Sequence, residues 1–164
     1  MRSVFTRTLA LLVLPILVSC GGGKDCCSPS PNGDGSFTAS VTGAKSASLT
    51  GQAGFLTGAN IFTIALHDAS SPATFIQISH LGAALPAAGT YSLDPNGDPA
   101  KAFAAMYSGG GTDNYAGTGG TLTLTTVSGS NLRGDFTFTA KGGSSGSAAV
   151  TVTGHFDAMP LTAP

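Results

Sequence analysis

Asp94, Asn96 and Asp98 stand at the spacing of the first three ligands of a calcium loop. Such a loop then needs Gly at its sixth position and Glu at its twelfth, where this chain has Pro99 and Ala105. Pro95, Asn96 and Gly97 are strong turn formers, so a plain loop is expected. Gly142-Gly143-Ser144-Ser145-Gly146 fits the spacing of a hydrolase elbow, which holds its serine on a strand-to-helix turn. A strand pattern follows it here, so Ser144 is expected in a loop. His67, His80 and His155 are scattered; His155 and Asp157 lie two apart and would share a strand face. Two imidazoles and a carboxylate that met in space would make a metal site, but isolated strand-end histidines are the expectation. There is no Glu, so paired-carboxylate chemistry would rest on Asp alone. The Gly-rich stretches 108–111 and 117–120 lack the Lys and following helix of a phosphate loop and read as loops. No catalytic residue, cofactor or metal site is assigned, and a non-enzymatic role is expected.

The sharper chemistry is at Cys20. Arg2 and Arg7 precede an apolar run from Leu9 to Val18 that is interrupted by Pro15. The run is half of the roughly 20 residues a helix needs to cross a bilayer, so residues 1–19 read as a signal peptide. It ends in Leu17-Val18-Ser19-Cys20. A branched apolar residue, a tolerant position, a small residue and Cys make up the bacterial lipobox. The thiol takes a diacylglyceryl group through a thioether, and the bond after the small Ser19 is then cut. Each buried methylene contributes about 0.8 kcal/mol, and one chain alone holds only marginally. Two or three chains on one cysteine make a lasting anchor, so lipidation at Cys20 and membrane attachment are expected. Position 21 is Gly rather than Asp. By similarity to enteric lipoproteins, that points to the outer membrane of a host that has one. Cys26 and Cys27 follow in the linker and imply an oxidising compartment. A vicinal disulfide, intermolecular bridges and further acylation stay open for them.

Residues 20–36 are Gly-, Ser- and Pro-rich and read as a flexible tether, about 20–25 Å in root-mean-square span. After removal of residues 1–19, five Lys and Arg face eight Asp, a net charge of −3. With no basic patch, nucleic acid is not an expected partner, nor is electrostatic attachment to anionic lipid.

The elements that must position everything else begin at Phe37. Thr, Val, Ile and Phe alternate between Gly-rich breaks, which is the chemistry of strands. Segments 37–43, 47–55, 60–67, 74–80 and 89–93 read as strands. Phe62, Ile64 and Leu66 fall on one face of the third. Residues 99–107 combine a helix-like start, Asp98-Pro99, with strand alternation of Phe103, Ala105 and Tyr107, and a strand is favoured. Segments 120–127, 132–140 and 148–156 form a C-terminal β-meander. Leu122, Leu124, Leu132, Phe136 and Phe138 are expected inside, as are Phe55, Phe62, Phe75, Phe103 and Phe156. Eight to ten short strands over residues 37–164 predict an all-β domain, an antiparallel β-sandwich or closed barrel.

Gly89-X-Tyr91, Gly120-Thr121-Leu122, Gly134-X-Phe136-X-Phe138 and Val150-X-Val152-X-Gly154-X-Phe156 together resemble a pattern in small bacterial lipoproteins of Bacteroidetes type. The resemblance covers residues 85–158. It implies an all-β domain of unknown function at the cell envelope. The expectation is therefore a lipid-anchored protein with a structural or binding role. The alternative is a β-barrel carrier of a lipid or small hydrophobic ligand, with some of the Phe side chains lining a cavity.

Overall fold

The computed structural model describes residues 35–58, 60–82, 84–98, 102–143 and 146–161. Residues 1–34, including Cys20, Cys26 and Cys27, lie outside the described residues, as do Pro99 and Ser144. The alternating pattern becomes nine strands: β1 (Ser36–Gly43), β2 (Ala47–Thr57), β3 (Ile61–Asp68), β4 (Thr74–Leu81), β5 (Gly89–Ser92), β6 (Ala104–Gly109), β7 (Asn114–Val127), β8 (Leu132–Gly142) and β9 (Ala148–Pro160). Pairing runs β7-β6-β4-β3-β2-β1-β9-β8 and returns to β7, so eight strands close a barrel and β5 is added beside β7. The expected all-β class is present, the barrel is the form it takes, and β7, β8 and β9 make the expected meander.

Two ends follow from the connections. The turns β1–β2, β3–β4, β6–β7 and β8–β9 lie at one, the turn end. The connections β2–β3, β4–β5 and β7–β8 lie at the other, together with Gly35 and Leu161. This is the entry end. Gly35 sits in a fork. Below it, β1 separates β2 from β9; above it, those two strands pair directly, with Gly54 opposite Met159 and Phe55 opposite Pro160. A Cβ on Gly35 would meet the Ala53 carbonyl and come within 2.7 Å of the Asp157 carbonyl. Glycine is therefore required, and the barrel begins at residue 35, inside the segment expected to be tether.

The interior is filled. Phe62, Ile64, Leu66, Ile76, Ile78 and Val152 have no exposed surface, and among the described residues 26 hydrophobic ones form one buried cluster. The outer face of β7, β8, β9 and β1 is a carpet of hydroxyls, with Thr121, Thr137, Thr153 and Ser40 in adjacent register. Thr137 and Thr153 share a hydrogen bond at 2.9 Å. This explains the low charge of the chain. A closed barrel has few strand edges to protect, and Thr satisfies both strand geometry and water.

Three expectations are corrected. Of the two Gly-rich stretches read as loops, 117–120 is the middle of β7, and Ser108 and Gly109 of the other end β6. A bulge between Gly117 and Gly119 switches the inward set from Tyr115 and Gly117 to Leu122 and Leu124, which breaks the period. Just past the bulge, a Cβ on Gly120 would stand 2.6 Å from the Cα of Phe138, so the close approach of β8 there needs glycine. Phe75 points outward against His67, because it shares parity with Gln77 while Ile76 and Ile78 face in. The strand expected over 99–107 begins only at Ala104. Just before it, the Ala102 N–H donates to the Asp98 carbonyl at 2.7 Å.

β5 and β6 are two pieces of one wall position. Both run antiparallel to β7 on the same edge, β6 along 114–116 and β5 along 121–124. Between them the chain leaves the wall at Leu93, whose N–H donates to Gly120, and returns at Phe103, whose N–H donates to Ser92.

Candidate functional site

The excursion between β5 and β6 builds a cleft near the entry end. Phe103, 1 % exposed, closes the barrel there by packing edge-on against Phe62, with centroids 6.2 Å apart. Phe62 in turn meets Phe55 at 6.3 Å. On the outer side of Phe103 lie His80, stacked at 4.7 Å, and Tyr91, edge-on at 5.0 Å. Phe103 can reach this position because the excursion returns to the wall at that residue. His80 is there because, as the penultimate residue of β4, it has the inward parity of Ile76 and Ile78.

Hydrogen bonds fix both outer rings. The Tyr91 hydroxyl donates to the Ala87 carbonyl at 2.6 Å. His80 Nδ1 lies 3.0 Å from the Ala102 carbonyl, which only accepts, so Nδ1 carries the proton. In the neutral ring Nε2 is then an acceptor. An open cleft of about 600 Å³ results, lined by His80, Pro86, Tyr91, Ser92, Asp98 and Ala102 among others. Tyr91 and His80 give it aromatic surface, and Thr90, Ser92 and Asp98 add hydroxyl and carboxylate groups. Such a surface suits a ligand with one apolar face and several polar groups.

The other candidate residues do not assemble. Asp94 Oδ1 accepts the Asn96 N–H at 2.9 Å, and the Asp94 carbonyl accepts from Gly97 at 3.0 Å, a self-contained turn. His67 and His80 sit at opposite ends of the β3–β4 pair, opposite Phe75 and Phe62 respectively. His155 is exposed and shares a hydrogen bond with the Thr38 hydroxyl at 3.2 Å. Asp157 is on the same outer face but engages Arg133 at 2.7 Å, and also Asn131. Among the described residues there is no group of three or more His, Cys, Asp or Glu placed to hold a metal.

At the turn end, Asp68 is 7 % exposed. Burial alone would raise its pKa. Hydrogen bonds from the Ser70 hydroxyl and from the N–H groups of Thr50, Ser70 and Ser71 outweigh that and hold it below the ordinary carboxylate value. Nearby, Tyr107 and Tyr115 stack at 5.7 Å, and burial raises the Tyr107 pKa. Lys45 pairs with Asp113, and this hydrogen bond raises the lysine pKa.

Sequence inspection picked out Tyr91, His80 and Phe103 separately but did not join them. They come from three elements with no fixed spacing, and only the interrupted β5–β6 wall brings them together. No family model, curated protein or solved structure matches this chain.

Proposed function

We propose that the chain is an exported lipoprotein held at the cell envelope, in the outer membrane where the host has one, by acyl groups on Cys20. Its barrel has a non-enzymatic structural or binding role. The observation that carries this is Leu17-Val18-Ser19-Cys20 at the close of a ten-residue apolar run. The likeness of residues 85–158 to small bacterial lipoproteins points the same way. With the barrel side chains buried, binding would use the outside of the barrel, and the cleft lined by His80 and Tyr91 offers one surface for it. The carrier alternative would require a hydrophobic ligand to displace side chains such as Phe62 and Ile64 or to use that same cleft.

The test is a Cys20→Ser substitution in the native host. The expected result is loss of N-terminal acylation by mass spectrometry and a shift of the protein from the membrane to the soluble fraction. Unchanged processing and unchanged membrane fractionation would overturn the proposal.

A further inference from the structure

Three large hydrophobic side chains are exposed among the described residues: Ile61 at 39 %, Leu81 at 62 % and Leu161 at 48 %. All three lie at the entry end. Ile61 and Leu81 are directly opposite one another across β3 and β4, on the outward face. Leu161 continues β9. Its N–H donates to the Phe55 carbonyl at 2.7 Å, and its side chain covers Gly54 on the outside of β2. Leu56, half-buried on the outer face of β2, lies between the two groups. The result is an apolar band on the strands β9, β2, β3 and β4, which are adjacent in the wall.

This band sits where the chain enters the barrel. Gly35 is fifteen positions after Cys20. If the Gly-, Ser- and Pro-rich segment between them behaves as the coil its composition predicts, it spans about 19–23 Å in root mean square. With Cys20 in the membrane, the entry end is therefore kept close to the headgroups, at a high effective concentration relative to the bilayer. Among the described residues the turn end carries no comparable side chain; Lys45, Asp113 and Asp68 stand there. A few shallow apolar side chains bind a membrane weakly by themselves, but a tethered domain needs only enough attraction to be oriented.

We propose that the rim bearing Ile61, Leu81 and Leu161 docks onto the surface of the bilayer that holds the Cys20 anchor. The barrel then stands with its turn end toward the aqueous side. This rests on the lipid-anchor proposal above. The acylated chain, with a net charge of −3, gains nothing from anionic lipid, so the docking is apolar and works on neutral phosphatidylcholine.

The chain has no Trp, so a single introduced Trp reports its own surroundings. Acylated full-length Leu81→Trp and Thr112→Trp variants are reconstituted in phosphatidylcholine vesicles, with and without bromine on the acyl chains. Both should float with the vesicles. Bromine should quench the Leu81→Trp emission at least threefold more than the Thr112→Trp emission. A Leu161→Trp reporter should lose most of its quenching when Leu81→Asp and Ile61→Asp are added, while still floating. Equal quenching at both ends in floating, acylated protein would overturn docking and leave the anchor standing. A blue-shifted Leu81→Trp emission insensitive to bromine would mean the rim is covered by protein, such as a second copy, and would also overturn docking. Failure to float, with an unmodified Cys20, would overturn the anchor and the docking together.

Discussion

The two ends of the barrel solve the same problem with different chemistry. A cylinder of strands must be stopped at each mouth or water enters the core. The turn end holds Asp68 within its cradle of hydrogen-bond donors, together with the stacked rings of Tyr107 and Tyr115. At the entry end, the stopper is a run of aromatic rings from Phe55 through Phe62 to Phe103, with His80 and Tyr91 beyond. The polar closure is local, since Asp68 is held largely by residues two or three positions away. The aromatic closure depends on a distant excursion returning Phe103 to the wall. Closing a mouth with a long connection also leaves a cleft beside it, whereas tight turns do not.

The contrast can be broken most severely at Phe103. Phe103→Ala removes a buried ring that touches Phe62, His80 and Tyr91, and should cost about 3–5 kcal/mol in urea unfolding. A cost under about 1 kcal/mol would mean the ring is not the stopper.

Asp68→Asn should have the next largest effect, on the order of 2 kcal/mol near pH 7, because charge-assisted hydrogen bonds are lost. The folded carboxyl titrates below its unfolded value. Its contribution is therefore complete above the ordinary carboxylate range and is lost as pH falls through the folded value. The gap between wild type and Asp68→Asn should narrow below about pH 4. A gap that stayed constant down to pH 2 would contradict the assignment.

Asp113→Asn should do least. The Lys45–Asp113 pair is solvent-accessible, so unfolding midpoints of variant and parent should coincide, even at low salt. A resolved shift would assign the turn end a larger electrostatic share than its geometry suggests.

Much of this fold is written locally. Phe62, Ile64 and Leu66 on β3, and Leu132, Phe136 and Phe138 on β8, alternate strictly and face inward. Period-two spacing is therefore enough to find those strands. Where the backbone changes parity, as at the β7 bulge, the spacing points to a loop that does not exist. Closure is less legible still. Nothing near Phe37 specifies that it will lie opposite Phe156, so sandwich and barrel look alike along the chain. The cleft is the least legible feature, since its rings meet only after β4, β5 and the returning excursion are all in place.

The pairing of β1 with β9 has a consequence for timing. Synthesis delivers Ser36 early, yet its neighbour Asp157 is close to the last residue described. Until that final strand emerges, the first has only β2 beside it, and no cylinder can seal. Hairpins such as β2–β3, β3–β4 and β7–β8 can pair as they emerge, but the wall closes only once β9 is available. Contacts so remote in sequence also make the final closing slow, on the millisecond-to-second scale typical of such topologies.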